Sequence, residues 1–135
     1  MLHFCTLFNS KYLSRGLALY ESLTKVCNEF TLTVYAFDDL TYNILSEKKR
    51  ESLKVVSLKD FENEDLLRVK SSRTAGEYCW TCTPAVIKDA LSRFNLDHCT
   101  YLDADLYFYK DPKILIDELT SHNKDVLITP HNYTW

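Results

Sequence analysis

Apolar and polar positions along this chain follow two periods, the two-residue period of strands and the 3.6-residue period of helices. Short runs rich in β-branched and aromatic residues predict strands, and longer stretches with helical spacing follow most of them. The predicted strands span residues 3–8, 31–37, 54–58, the run that ends at Asp103, and 125–129. The predicted helices begin after Ser10, span 41–52 and 84–94, and begin again at Asp111-Pro112. This alternation predicts an α/β fold, a mostly parallel sheet with helices on both faces.

Capping residues set the predicted helix starts. Ser10 is a capping hydroxyl in front of apolar residues at helical spacing, and Thr83-Pro84 combines a capping hydroxyl with proline at the first helical position. Asp111-Pro112 repeats that arrangement. Residues 59–82 are less regular, with a loop predicted at 70–77.

Length and composition predict one globular domain, 1–135. The chain has 135 residues, of which 46% are hydrophobic, and only 2 glycines, which excludes a glycine-rich phosphate loop. The formal net charge of −3 argues against nucleic acid as a partner. No apolar run approaches the roughly 20 residues of a membrane helix, and the N-terminus lacks the features of a signal peptide. With an odd count of 5 cysteines, we expect reduced thiols and a cytoplasmic location.

The segment Cys99-Thr-Tyr-Leu-Asp-Ala-Asp-Leu-Tyr-Phe-Tyr109 holds the strongest chemical signal in the chain. Asp103 and Asp105 follow a predicted strand, and residues two apart in an extended segment point to the same side. Oxygen ligands of this kind suit Mg²⁺ or Mn²⁺, which usually bind together with substrate phosphates. The alternative is a strand end with two solvated acids.

Polar residues follow two other predicted strands, at Asn9-Ser10 and at Asp38-Asp39. Ligands of parallel α/β sheets bind beyond the carboxyl ends of the strands, so these residues and the Asp103/Asp105 pair are expected at one edge. Cys79-Trp-Thr-Cys82 has the spacing of zinc or redox sites, but no second pair follows it, and packing near a helix is the favoured interpretation.

Several spaced motifs together resemble a known family. They are Asn9-Ser-Lys-Tyr12 after the first strand, Phe37-Asp-Asp after the second, Arg73, Glu77-Tyr-Cys-Trp-Thr-Cys-Thr-Pro84, and Tyr101-Leu-Asp-Ala-Asp-Leu-Tyr-Phe. In this order they resemble the N-terminal, nucleotide-binding half of GT-A-fold glycosyltransferases and are similar to glycosyltransferase family 8. The resemblance covers nearly the whole chain and implies a Rossmann-like, nucleotide-sugar-binding α/β domain.

The resemblance implies a catalytic metal site at the Asp-x-Asp motif. Asp105 would bind a divalent ion, Mn²⁺ or Mg²⁺, that bridges the two phosphates of the donor. Asp103 would share the ion or contact the ribose, and Ala104 would lie against the ribose. Such an ion stabilises the negative charge of a departing nucleoside diphosphate.

The same resemblance implies nucleotide contacts from the first two strands. The turn from Thr6 to Asn9 would supply backbone contacts, Tyr12 would stack on the nucleobase, and Asp38 would hydrogen-bond the base.

Further contacts to the donor are implied downstream of the second strand. Arg73 and Lys88 would face the diphosphate or the sugar. Apart from the resemblance, Tyr78 and Trp80 are aromatic candidates for lining a sugar pocket, with packing in the core as an equally favoured interpretation. Complete family members are longer and carry the acceptor-binding part after this half, which is absent from these 135 residues.

The sequence therefore predicts an enzyme that transfers a sugar from a nucleotide-diphosphate donor, with a UDP-sugar as the expected donor, to an unknown glycan, lipid or protein acceptor. One alternative is a non-catalytic fragment of such an enzyme that binds nucleotide and metal. Another is a haloacid-dehalogenase-type phosphohydrolase with Asp103 as nucleophile. An incomplete sheet would also favour self-association through an exposed edge or apolar face.

Overall fold

The computed structural model describes residues 1–124 and residue 126. The strands are β1 (Leu2–Phe8), β2 (Phe30–Ala36), β3 (Leu53–Ser57) and β4 (Thr100–Tyr101). A 3₁₀ turn at Ser10–Tyr12 precedes the first helix. The helices are α1 (Leu13–Val26), α2 (Asp39–Ser46), α3 (Leu58–Phe61), α4 (Glu64–Lys70), α5 (Ala75–Arg93) and α6 (Lys113–Ser121).

The four strands form one parallel sheet in the order β3-β2-β1-β4. The chain adds β2 and β3 on one side of β1 and then crosses to the other side, where Phe4 pairs with Thr100. The strand order therefore reverses between β1 and β4. Open α/β sheets bind ligands at such a switch point, beyond the carboxyl ends of the strands.

Helices cover both faces of the sheet. Successive residues of β1 point to opposite sides, and those on each side are buried against helices. Phe4 and Phe8 pack in a cluster with residues of α1 and α2. Cys5 and Leu7 pack in a second cluster, with residues of α3, α4 and α5. The predicted α/β class, with a parallel sheet between two layers of helices, is confirmed, and the strand order is compatible with a Rossmann-like arrangement. Among the described residues, no helix combines the length and the apolar content needed to span a membrane.

The prediction of a helix start at Thr83-Pro84 and of a loop at 70–77 is wrong. Helix α5 begins at Ala75 and includes Pro84 in its interior. Its start is a capping box, in which the Glu77 N–H donates to Thr74 Oγ1 and the Thr74 N–H donates to Glu77 Oε2 at 2.8 Å. The proline lies on the exposed side of a helix whose opposite side is buried.

Other boundaries also differ from the predicted ones. Helix α2 ends at Ser46 rather than near Ser52, before a turn in which Lys49 has a φ of 43°. Asn9, not Ser10, caps the turn that leads into α1. Strand β4 ends at Tyr101, so the following carboxylates do not lie in an extended strand as expected. The strand predicted at 125–129 falls outside the described residues.

Candidate functional site

An open cleft of about 500 Å³ lies at the carboxyl edge of the sheet, at the switch point between β1 and β4. Three segments line it. The first is the end of β1 and the turn after it, with Asn9, Lys11 and Tyr12. The second is Tyr101 with residues 103–105, and the third is one side of the first turns of α5. Three separate parts of the chain thus meet in one cleft, where the topology of the fold favours ligand binding.

Asp103 and Asp105 lie in a tight turn directly after β4. The Leu106 N–H donates to the Asp103 carbonyl at 3.2 Å, which closes the turn. Ala104 is buried between the two exposed aspartates. Within the described part of the chain, no cation lies within ion-pair distance of either carboxylate. Both are therefore available to bind a cation from solution.

Hydrogen bonds fix the aspartate turn at both ends. On one side, the Leu102 N–H donates to the Cys5 carbonyl of β1 at 2.9 Å. On the other side, the Phe108 N–H donates to Oγ of the buried Ser22 on α1 at 3.0 Å, and the Phe108 side chain packs against the core on that face. The aspartate turn is thereby attached to the buried strand β1 and to helix α1, which limits how far the carboxylates can move.

Asp38 holds the turn after β1 from the neighbouring strand. Its Oδ2 accepts the Ser10 N–H at 2.8 Å and its Oδ1 accepts the Thr41 N–H at 2.8 Å. Burial alone would raise the pKa of Asp38, but the hydrogen bonds donated by Thr41 and Ser10 lower it to about 2. The carboxylate therefore caps α2 and fixes the 3₁₀ turn that carries Lys11 and Tyr12 into the cleft.

Tyr12 presents an aromatic ring to the cleft. Its side chain is partly exposed, and the guanidinium of Arg15 lies 4.7 Å from the ring centroid. This cation–π contact covers one face of the ring and holds it in place. Lys11, its neighbour, is the basic residue that lines the cleft in the described part of the chain.

The wall contributed by α5 is made mostly of small residues. Gly76, Cys79 and Thr83 leave room, and a Cβ added at Gly76 would meet no atom within 4 Å. Trp80 is the one large side chain on this wall and is 76% exposed. Burial raises the pKa of Tyr101, which also lines the cleft, to about 12; a hydrogen bond with Thr83 opposes this shift and the charge of Asp103 adds to it.

Of the nine residues predicted to bind the metal or the nucleotide-sugar, the structure brings five together in the cleft and leaves four elsewhere. Those that line it are Asn9, Tyr12, Asp103, Ala104 and Asp105. Of the two aromatic candidates for the sugar pocket, Trp80 lines the cleft, whereas Tyr78 is buried in the core.

The four other predicted residues do not line the cleft. Thr6 is fully buried within β1, and its Oγ1 has no hydrogen-bond partner in the described part of the chain. Asp38 is occupied with Ser10 and Thr41, as described above. Arg73 lies exposed between α4 and α5, and Lys88 lies exposed on α5.

Sequence reasoning missed Lys11 and Thr83 as lining residues. Lys11 follows Asn9 by two positions in the turn after a strand, which is the signal that could have identified it. The sequence predicts a capping role for Thr83, whereas in the structure it lies inside α5 and lines the cleft.

The donor set of the cleft fits a divalent ion that shares its ligands with a substrate. Among residues 1–124 and 126, no group of three or more His, Cys, Asp or Glu side chains could hold a metal. Two carboxylates on one turn supply only part of an octahedral shell, and Mg²⁺-type ions commonly complete theirs with phosphate oxygens and water. Asp103 and Asp105 could therefore hold such an ion only if a bound ligand or water supplied the remaining oxygen atoms.

Comparison with known proteins gives two similar bacterial sequences. The chain is 34% identical over 115 residues to the uncharacterized protein YfnF of Bacillus subtilis (strain 168), an alignment that covers 84% of this chain and 38% of YfnF. It is 32% identical over 117 residues to the uncharacterized protein YfnD of the same strain, covering 86% of this chain and 38% of YfnD. The chain thus spans less than two fifths of the length of these relatives. No protein-family model matches it.

Proposed function

We propose that this chain is the donor-binding part of a metal-dependent glycosyltransferase with a GT-A fold, similar to family 8. One observation carries the proposal: the Asp103-Ala104-Asp105 turn shares a cleft at the sheet's switch point with an aromatic ring, Tyr12, and a cation, Lys11. A nucleoside diphosphate with its metal ion presents a flat base, two phosphates and a divalent charge, and the cleft offers a matching group for each.

Each part of the donor has a counterpart in this arrangement. Asp103 and Asp105 would hold Mn²⁺ or Mg²⁺, and the ion would supply Lewis-acid stabilisation of the diphosphate as it leaves. Lys11 would add a charge-assisted contact to a phosphate oxygen. The free face of Tyr12 would receive the base, with Arg15 behind the ring. We assign the phosphate contact to Lys11 in preference to Arg73 and Lys88, because Lys11 lines the cleft.

The test is calorimetric titration of the full-length protein with UDP, GDP and CDP, with and without Mn²⁺. Binding of one diphosphate should require the metal. The variants Asp103→Asn and Asp105→Asn should weaken metal-dependent binding at least tenfold, since each removes a charged ligand of the ion and replaces it with a weak one. Asp39→Asn is the matched control, because Asp39 is an exposed aspartate at the same sheet edge that does not line the cleft.

Three outcomes separate the alternatives. If none of the diphosphates binds with Mn²⁺ present, the proposal is wrong. If binding occurs but UDP-sugars are neither hydrolysed nor used, the non-catalytic alternative is favoured. A phosphoryl group trapped on Asp103 would instead identify a phosphohydrolase.

A further inference from the structure

Trp80 is an exposed aromatic residue that the contacts described so far do not use. Its side chain is 76% exposed, although tryptophan is one of the largest apolar side chains and is usually well buried. It lies on the second turn of α5, on the rim of the cleft that holds Asp103 and Asp105. An exposed aromatic side chain at the rim of a cleft marks a ligand contact more often than one on a convex surface.

The surroundings of Trp80 leave its ring accessible. The other α5 residues along the cleft are small, namely Ala75, Gly76, Cys79 and Thr83, so none of them screens the indole. No aromatic ring or cation in the described part of the chain stacks on Trp80, whereas Arg15 already covers Tyr12.

Contacts between α5 and the segment before it hold the part of the helix that carries Trp80. Two residues before it, Tyr78 is buried and donates its hydroxyl to Glu62 Oε1 at 2.7 Å, and Lys70 Nζ contacts the same oxygen at 2.6 Å. The Glu62 side chain is only 10% exposed, so this is a sheltered ionic contact between α4, α5 and the loop before α4. Trp80 is therefore an exposed ring on a rigidly held helix, which lowers the entropic cost of stacking a ligand on it.

We infer that Trp80 is a stacking platform for a pyranose ring, and this inference rests on the proposed function. A pyranose has faces of C–H groups and a rim of hydroxyls, which matches a flat apolar indole in a cleft that is also lined by the hydroxyl-bearing residues Thr83 and Tyr101. The diphosphate and base are accounted for by Asp103, Asp105, Lys11 and Tyr12. The sugar of the donor, or a saccharide acceptor next to it, is the remaining component of the reaction.

Fluorescence provides a direct readout. The 135-residue chain has two tryptophans, Trp80 and Trp135, so the variant Trp135→Phe leaves Trp80 as its only indole. This variant of the 135-residue chain is first saturated with UDP and Mn²⁺, and glucose, galactose, N-acetylglucosamine and their β-linked disaccharides are then added. In a second arm, UDP-hexoses replace UDP. A blue shift of the Trp80 emission is expected in the arm that supplies the bound sugar, which distinguishes an acceptor saccharide from the donor sugar.

Calorimetry of substituted proteins then tests the energetic role. Trp80→Ala should weaken the sugar-dependent binding about tenfold, which corresponds to ~1.4 kcal/mol. Trp80→Phe should retain most of it. Both variants should bind UDP with Mn²⁺ within twofold of the parent protein. Tyr109→Ala, which removes an aromatic side chain that is 85% exposed and does not line the cleft, should change nothing.

The results separate this inference from the proposal on which it rests. If UDP binds through Mn²⁺ and Asp105 but no sugar in either arm shifts the emission of Trp80, the platform role is wrong and the donor site stands. The same conclusion follows if Trp80→Ala binds every sugar ligand as tightly as the parent protein. If UDP does not bind with Mn²⁺, both the donor site and the platform are refuted.

Discussion

Replacing Asp38 with alanine should lower both the stability of the fold and its affinity for the proposed donor. The two carboxylate oxygens accept backbone N–H groups of two different elements, Ser10 in the turn after β1 and Thr41 in the first turn of α2. Removing the carboxylate leaves both donors without their partner. It also releases the turn that places Tyr12 at the cleft.

The expected size of the effect follows from these two hydrogen bonds. Loss of a helix cap costs about 0.5–2 kcal/mol, and a hydrogen bond to a charged group contributes about 1.5–3 kcal/mol. Because both N–H groups can partly recover hydrogen bonds to water, we expect Asp38→Ala to lower the free energy of unfolding by about 2–3 kcal/mol. Asp38→Asn should cost about half as much, since its amide has one acceptor oxygen in place of two.

The contribution of Asp38 to the free energy of unfolding should change with pH in a defined direction. The pKa of Asp38 is lowered from 3.8 to about 2 in the folded protein, with burial opposing the shift and the hydrogen bonds from Thr41 and Ser10 causing it. A lowered folded-state pKa contributes stability above pH 3.8 that is lost as the pH falls through 2. The stability difference between the parent protein and Asp38→Asn should thus be constant from pH 5 to 7 and shrink below pH 4.

The assay is urea unfolding followed by circular dichroism, with UDP and Mn²⁺ titration of the folded variants. Asp39→Ala is the matched control, because its carboxylate makes one contact, 3.9 Å from Lys59, and both side chains are more than 80% exposed. It should change stability by less than about 0.5 kcal/mol. If Asp38→Ala is as stable as Asp39→Ala, the carboxylate is not the connection between strand ends that the geometry indicates.

Two further predictions concern helices α1 and α5. Gly16→Ala should lower the free energy of unfolding by about 1–3 kcal/mol in the urea assay, because the added Cβ would overlap the buried ring of Phe8. Gly76→Ala should be neutral or slightly stabilising in the same assay, because the space around its added Cβ is open. Equal effects of the two glycine variants would contradict this packing. Pro84→Ala should raise the midpoint of thermal unfolding, because it restores an N–H that can donate to the Trp80 carbonyl in the helix interior. We expect the free energy of unfolding to rise by about 1–3 kcal/mol. An unchanged or lower midpoint would show that α5 depends on the proline.

Local sequence determined the strands more reliably than the helix ends. The β-branched and aromatic runs of β1, β2 and β3 predict these strands to within about two residues, because strands buried on both faces need such side chains. The start of α5 was misplaced because Thr83-Pro84 is a strong local signal for a helix start. Tertiary packing outweighed this local signal. The buried residues of α5 recur every four positions on both sides of the proline: Tyr78, Cys82, Val86 and Ala90.

In the candidate site, too, local sequence predicts some positions, and tertiary packing determines the others. Residues directly after strands, such as Asn9 and Asp103, could be placed from the sequence, because strand order and direction fix where those positions meet. The basic residues of the site could not be placed from the sequence. Arg73 and Lys88 are as basic as Lys11, but which of them reaches the cleft depends on the course of residues 58–93, where the predicted boundaries were wrong.

The way the aspartate turn is attached suggests what sets the strength of the proposed metal site. Because the two carboxylates are exposed and have no cation among the described residues, neither needs a bound ion for the chain to fold. Their relative position instead depends on the hydrogen bonds to Cys5 and Ser22 at either end of the turn. If the turn binds an ion as proposed, its affinity should depend on the packing beneath it, so substitutions of Ser22 that remove its hydrogen bond to Phe108 should weaken Mn²⁺ binding in calorimetry although Ser22 is not a proposed ligand.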